Sequence, residues 1–263
     1  MHNGFLAVTA QTKPCKISTA IIDGGGAMAG KDKVIGVIGG MGPDATVDFM
    51  SRVLAATPAS ADQDHVRMVV EHNPRIPSRQ LAIRGEGPNP GPVMAAMASR
   101  LEAAGADFVV MPCNTAHAWQ SDIVAAIDIP FVSIVDVSVA AAIDLSAAES
   151  AVGLMTTPGC FEAGLYQQAL AALGRPVINQ TADELAITMS LIEHIKGGDK
   201  SDDVAERLRA LGNELIARGA GVLIAACTEL PLVLQASMFD VAFVSSTDAL
   251  AEKAVALALG GPE

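Results

Sequence analysis

The chain carries one α/β pattern twice. Ile35-Gly36-Val37-Ile38 is matched by Val152-Gly153-Leu154-Met155 at an offset of 117 residues. The run from Asp107 into Cys113 is matched by the run from Gly221 into Cys227 at an offset of 114, and Phe131-Val132-Ser133 by Phe243-Val244-Ser245 at 112. Three matches in the same order at a nearly constant offset imply two similar halves related by duplication. Within each half, β-branched runs alternate with Ala/Leu-rich amphipathic stretches, the pattern of βαβ units on a mostly parallel sheet. The predicted strands are 34–39, 66–72, 107–112 and 130–135 in the first half, and 151–156, 176–180, 221–226 and 241–245 in the second.

The expected fold is therefore α/β, with two pseudo-symmetric domains, each a mostly parallel sheet flanked by helices, and a site in the cleft between them. The first domain is expected over 34–135, with 246–263 packing back on it, and the second over 136–245. Residues 1–33 contain Gly24, Gly25 and Gly26 and no clear periodicity. They read as a loose N-terminal extension, with Met28 available as an alternative start.

At 263 residues and 51% hydrophobic content the chain can fill a substantial core. No apolar run approaches the roughly 18 residues needed to span a bilayer, so no membrane association is expected. The start lacks a basic segment followed by an apolar one, which points to the cytoplasm rather than to secretion. A net charge of −12 repels a phosphate backbone and argues against nucleic acid. It also repels an acidic metabolite, so a site for one must supply its own Arg, Lys and backbone N–H donors.

Four cysteines, at 15, 113, 160 and 227, show no CxxC spacing and read as reduced thiols. Cys113 and Cys227 fall at equivalent positions of the two halves, each at the carboxyl end of a strand, where ligands of open α/β sheets bind. Two thiols converging on one cleft from opposite sides suit two-base chemistry at a carbon centre: one removes a proton and the other delivers one to the opposite face. Asn114-Thr115 and Thr228-Glu229 follow and read as helix starts, whose dipoles would lower the thiol pKa and whose N–H groups would face a carboxylate. A pair of inert core cysteines is the plainer alternative for either thiol alone. Zinc is a weaker one, since Cys113 and His117 are four apart but no third and fourth ligand is evident. No metal is expected, and His117 reads as a core or supporting residue.

Gly39, Gly40, Met41 and Gly42 follow the first strand without a nucleotide-binding continuation and read as a carboxylate cradle or a tight turn. Arg79 lies beyond the second strand on the ligand side, where its guanidinium could grip a carboxylate with two bonds. Lys196 ends an apolar helix, a place where a cation is expected for dipole reasons alone, and the same reasoning covers Asp44 and Glu229 near helix starts.

Ile38-Gly39-Gly40-Met41-Gly42-Pro43, Asn73-Pro74-Arg75-Ile76-Pro77-Ser78-Arg79, Pro112-Cys113-Asn114-Thr115-Ala116-His117 and Cys227-Thr228-Glu229 together resemble the aspartate/glutamate racemase family over about residues 34–248. The resemblance implies racemisation of an acidic amino acid without pyridoxal phosphate, metal or other cofactor, by a protein that is commonly a homodimer. It implies Cys113 and Cys227 as the catalytic pair, Cys113 acting on the D-enantiomer and Cys227 on the L-enantiomer. It also implies substrate contacts at Asn114 and Thr228, with Arg79 and Lys196 on the side-chain carboxylate and Lys200 as the alternative to Lys196; Gly40, Met41, Thr115, Thr157 and Glu229 are further candidate substrate contacts. Two departures bear on side-chain specificity: Cys160 stands where relatives often carry Thr, and Ser78-Arg79-Gln80 where Asp-Arg-Thr is frequent. Competing readings are decarboxylation or cis–trans isomerisation of a small dicarboxylate on the same fold, and a non-catalytic sensor of an acidic metabolite.

Overall fold

The computed structural model describes residues 32–261. The predicted N-terminal extension up to residue 31, with Cys15 and Met28, lies outside the described residues, as do residues 262 and 263. The first half runs β1 (Ile35–Gly39), α1 (Pro43–Ala56), β2 (Met68–His72), α2 (Arg79–Ile83), α3 (Gly91–Ala103), β3 (Phe108–Val110), α4 (Gln120–Val124), β4 (Phe131–Val132) and α5 (Ile134–Asp144). The second runs β5 (Ala151–Thr156), α6 (Pro158–Glu162), α7 (Leu165–Ala172), β6 (Val177–Asn179), α8 (Ala182–Lys196), α9 (Asp202–Ala217), β7 (Ala220–Ala226), β8 (Ala242–Ser245) and α10 (Ser246–Ala258).

Every predicted strand is present, and the duplication is visible in the topology. The sheets have the orders β2-β1-β3-β4 and β6-β5-β7-β8, and every neighbouring pair is parallel. The chain passes between halves through α5, which straddles the expected junction at residue 135. The closing helix α10 packs against α1 and α5. Among the described residues no helix is long and apolar enough to cross a membrane.

Parallel sheets bury both faces, and strand side chains alternate between them. One face of each sheet enters a single apolar layer: Ile35 and Val37 of β1, Phe108 and Val110 of β3, Val152 and Leu154 of β5, Val222 and Ile224 of β7, joined by Phe49 of α1, Val139 of α5 and Leu250 of α10. The other faces have separate cores. Val109, Met111 and Cys113 pack under α3, while Leu223, Ala225 and Cys227 pack under α8 and α9. Both thiols thus continue the outward-facing parity of a central strand.

The two halves also share a close helix–sheet contact. A Cβ on Gly36 would lie 2.8 Å from the Ala106 Cβ and 3.3 Å from that of Leu101; one on Gly153 would lie 2.9 Å from the Ala220 Cβ and 3.2 Å from that of Leu215. Ala106 and Ala220, like Leu101 and Leu215, are 114 residues apart, so the same packing recurs. A bulkier residue has nowhere to go without moving a helix off its sheet. Gly153→Val is expected to destabilise the protein by about 1–3 kcal/mol, read as a lower midpoint in urea unfolding, and Gly36→Val to do the same.

Candidate active site

Beyond the carboxyl ends of β3 and β7, Cys113 and Cys227 line one cavity of about 180 Å³, room for a molecule of amino-acid size. Asn114, Thr115 and Thr157 line it near Cys113, Thr228 and Glu229 near Cys227, and Met41 also borders it. Arg79 and Gln80 from α2 and Glu193 and Lys196 from α8 add further polar groups to its lining. The turn carrying Arg79 is set by Ser78, whose hydroxyl accepts from the Leu81 N–H as an N-cap. Arg79 Nη1 donates to the carbonyls of Ile76 and Pro77, at 3.1 and 2.8 Å, which fixes the guanidinium against its own loop. Helix α8 begins in a capping box between Thr181 and Glu184 and ends at Gly197, leaving Lys196 in its last turn beside the cavity. Lys200, past the helix end, pairs instead with Asp44 at 2.9 Å.

The segments after the cysteines differ from the expected helix starts. Each is a short 3₁₀ turn, Thr115–Trp119 and Leu230–Leu232, and neither has a side-chain cap. In the first, the Cys113 carbonyl is bonded at 2.9 Å by His117 Nδ1, while the His117 backbone N–H turns to Asn114. In the second, Pro231 removes an N–H. His117 Nε2 accepts from the Ile134 N–H at 3.0 Å, so the ring is neutral with its proton on Nδ1, and both nitrogens are occupied by backbone. Burial lowers its pKa to about 4.

The glycine loop is also not a free cradle. Gly40 has φ +99°, and a Cβ there would overlap the Asn73 backbone at 2.4 Å. Its N–H donates to Thr46 Oγ1 at 2.8 Å, and the Gly42 N–H donates to Glu229 Oε1 at 3.2 Å. Gly40 lines a neighbouring pocket that shares Arg79, Lys196 and Glu229 with the cavity. The Asn114 side chain is held at both ends, accepting from the Tyr166 hydroxyl at 2.5 Å and donating to Ser246 Oγ at 3.0 Å. Thr115 and Thr157 pair their hydroxyls at 2.9 Å across the halves, and Gln80 Oε1 accepts from the Gly159 N–H at 2.7 Å beside them. Cys160 is buried, with its N–H capped by Thr157 and its thiol pushed up to about 12 by burial.

Neither cavity thiol has the lowered pKa expected at a helix N-terminus, because burial outweighs it. Burial pushes Cys113 up, opposed by the Arg79 guanidinium and reinforced by Glu229. Cys227 goes well above its ordinary value through burial and the charge of Glu229, only partly offset by Lys196. Cys227 Sγ donates to Glu229 Oε2 at 3.0 Å, and Lys196 Nζ sits 3.6 Å from Oε1. Burial pulls the Lys196 ammonium down, but the negative charge of Glu229 opposes this and the net direction is up.

Sequence reading missed Glu193, Met189, Gln80 and Tyr166. Glu193 and Met189 stand three and seven residues before Lys196, on the same helical face, a spacing that could have pointed to them. Tyr166 had no local signal; only the fold brings it to Asn114.

The family model described as Asp/Glu/Hydantoin racemase matches residues 38–254. The chain is 29% identical over 226 residues to the broad specificity amino-acid racemase RacX of Bacillus subtilis (strain 168), covering 84% of this chain and 96% of that protein. The structure of Picrophilus torridus aspartate racemase superposes with a TM-score of 0.77 at 29% identity, covering 86% of this chain and 94% of the other. The fold of glutamate racemase from Francisella tularensis subsp. tularensis SCHU S4, solved in complex with D-glutamate, matches with a TM-score of 0.64 at 18% identity, covering 89% and 85%.

Two outcomes follow from the electrostatics. Alkylation of Cys113 and Cys227 by iodoacetamide, followed by mass spectrometry, is expected to be slower at neutral pH than for free cysteine and to keep rising beyond the ordinary thiol range; Arg79→Met should slow Cys113 further. Unfolded His117 binds a proton near pH 6.5 and the folded ring only near 4, so its contribution to stability is lost as pH falls from about 6.5 to about 4. The loss amounts to at most about 3 kcal/mol, and His117→Gln should remove that part of the pH dependence of denaturant unfolding.

Proposed function

Since the chain belongs to the Asp/Glu/Hydantoin racemase family and is an isomerase of the amino-acid racemase type, we propose that it interconverts the enantiomers of aspartate or glutamate by proton transfer between Cys113 and Cys227. The observation that carries this reading is that two buried thiols, at equivalent positions of two halves, line one cavity together with Arg79 and Lys196.

In this mechanism the Cα of the substrate lies between the two sulfurs. One thiolate removes the α-proton and the opposite thiol delivers a proton to the other face, so the same pair serves both directions. The α-ammonium brings a positive charge beside sulfurs that burial otherwise keeps protonated, and thus favours the thiolate when substrate is present. Arg79, fixed by its own loop, and Lys196 receive the side-chain carboxylate. Asn114 acts by holding the Cys113 turn in place through Tyr166 and Ser246. The proposal extends to a cytoplasmic location and to the homodimer that the resemblance implies.

Purified protein incubated in D₂O with each enantiomer of aspartate and glutamate, without added cofactor, is expected to place deuterium at Cα and to approach a racemic mixture by chiral chromatography. Cys113→Ser and Cys227→Ser should each lower turnover by about 100-fold or more. Arg79→Leu should raise KM for the acidic substrate by roughly 10- to 100-fold. Full turnover in either serine variant overturns the two-thiol mechanism; no exchange at Cα, with a small dicarboxylate decarboxylated or isomerised by one cysteine, would favour the second enzyme reading. Ligand stabilisation with no isotope exchange would favour a sensor.

A further inference from the structure

The duplication is broken next to the thiols. Two residues after Cys113 stands Thr115, whose hydroxyl is paired with Thr157 at 2.9 Å; two residues after Cys227 stands Glu229. The Glu229 side chain is buried and divides its oxygens. Oε2 accepts from the Cys227 thiol at 3.0 Å, while Oε1 accepts from the Gly42 N–H at 3.2 Å and faces Lys196 Nζ at 3.6 Å. The other charged or titratable groups lining the same space are Arg79 of α2, Glu193 of α8 and Cys113 across the cavity, with Asp44 of α1 in the adjoining pocket. Lys196 is therefore shared: it neutralises Glu229, and it borders the space where a substrate carboxylate would sit.

We propose that Glu229 is the proton acceptor that ionises Cys227, and that an acidic substrate sets off the transfer by drawing Lys196 from Glu229 onto its own side-chain carboxylate. The step is internal and balanced. The Cys227 S–H bond breaks, an O–H bond forms at Glu229 Oε2, sulfur keeps the electron pair, and no proton enters or leaves the protein. A carboxylate that loses its ammonium partner binds a proton more readily, and the thiolate left behind is stabilised by the incoming α-ammonium. A neutral amino acid leaves Lys196 on Glu229 and the thiol protonated. Glu229 thereby becomes a catalytic residue in contact with a reacting sulfur rather than a substrate ligand. This rests on the racemase reading above and on Lys196 as a carboxylate ligand.

The test uses Cys113→Ser protein, which leaves Cys227 as the thiol lining the cavity while Cys15 and Cys160 cancel in the difference spectrum of the same protein with and without ligand, and two ligands that lack an α-proton: α-methylaspartate, which carries the side-chain carboxylate, and α-aminoisobutyrate, which does not. Thiolate is read by ultraviolet difference absorbance, a protonated carboxyl by its infrared band, and binding by thermal stabilisation in the same samples. α-Methylaspartate is expected to produce thiolate and a carboxylic-acid band together, with no proton released to the buffer. α-Aminoisobutyrate should produce less than about a tenth of either signal. With Glu229→Gln added, which keeps an oxygen for the Gly42 N–H, the infrared band should vanish, and any thiolate should appear only with release of a proton. Binding of α-methylaspartate without the paired signals, or a band that survives Glu229→Gln, overturns the relay alone. Failure of α-methylaspartate to stabilise the protein overturns the acidic-substrate reading and the relay with it.

Discussion

A single apolar layer between the two sheets is the constraint on which the rest of the molecule depends. Each sheet turns one face into it, and helices α1, α5 and α10 supply the side chains that complete it. Burying both faces of parallel strands fixes which side chains of β3 and β7 point inward and which point outward. That parity carries Cys113 and Cys227, 114 residues apart, to one cavity. The thiols are held by the fold at large more than by local structure, since the turns that follow them are short and uncapped.

Placing sulfur so deep has an electrostatic consequence. Burial favours the neutral thiol at both positions, and the nearby charges act unequally: Arg79 opposes the shift at Cys113, whereas Glu229 reinforces it at Cys227. A site arranged in this way holds its protons until something positive arrives. The cavity also balances its own charges, with Arg79 and Lys196 set against Glu193 and Glu229. An acidic side chain therefore competes with Glu229 for Lys196 and with loop carbonyls for Arg79.

The eight strands, their division into two copies and the pairing of the two cysteines were legible because they rest on β-branched runs bounded by amphipathic stretches and on a pattern stated twice. Arg79 was legible through a motif and Lys196 only through the family resemblance, with Lys200 as its alternative; both Arg79 and Lys196 line the cavity. What escaped the sequence depends on partners far along the chain. The Gly42 N–H finds Glu229 across 187 residues, and Asn114 finds Ser246 across 132. A glycine loop read alone looks like an open anion cradle; in the fold the Gly40 and Gly42 N–H groups already have oxygen acceptors. The expected thiol ionisation failed for the same reason, since helix starts are a local inference and burial is a global one.

Two thiols facing one small cavity have a further consequence on the two-base reading. Each turnover leaves the proton on the sulfur opposite to the one that began with it, so the released enzyme differs from the enzyme that bound. It keeps a one-proton memory of the handedness it last discharged. In that state it is ready for the enantiomer it has just made, and it must reset through solvent before it can accept the starting one again. At high substrate concentration this reset, rather than the chemistry at Cα, would govern the pace.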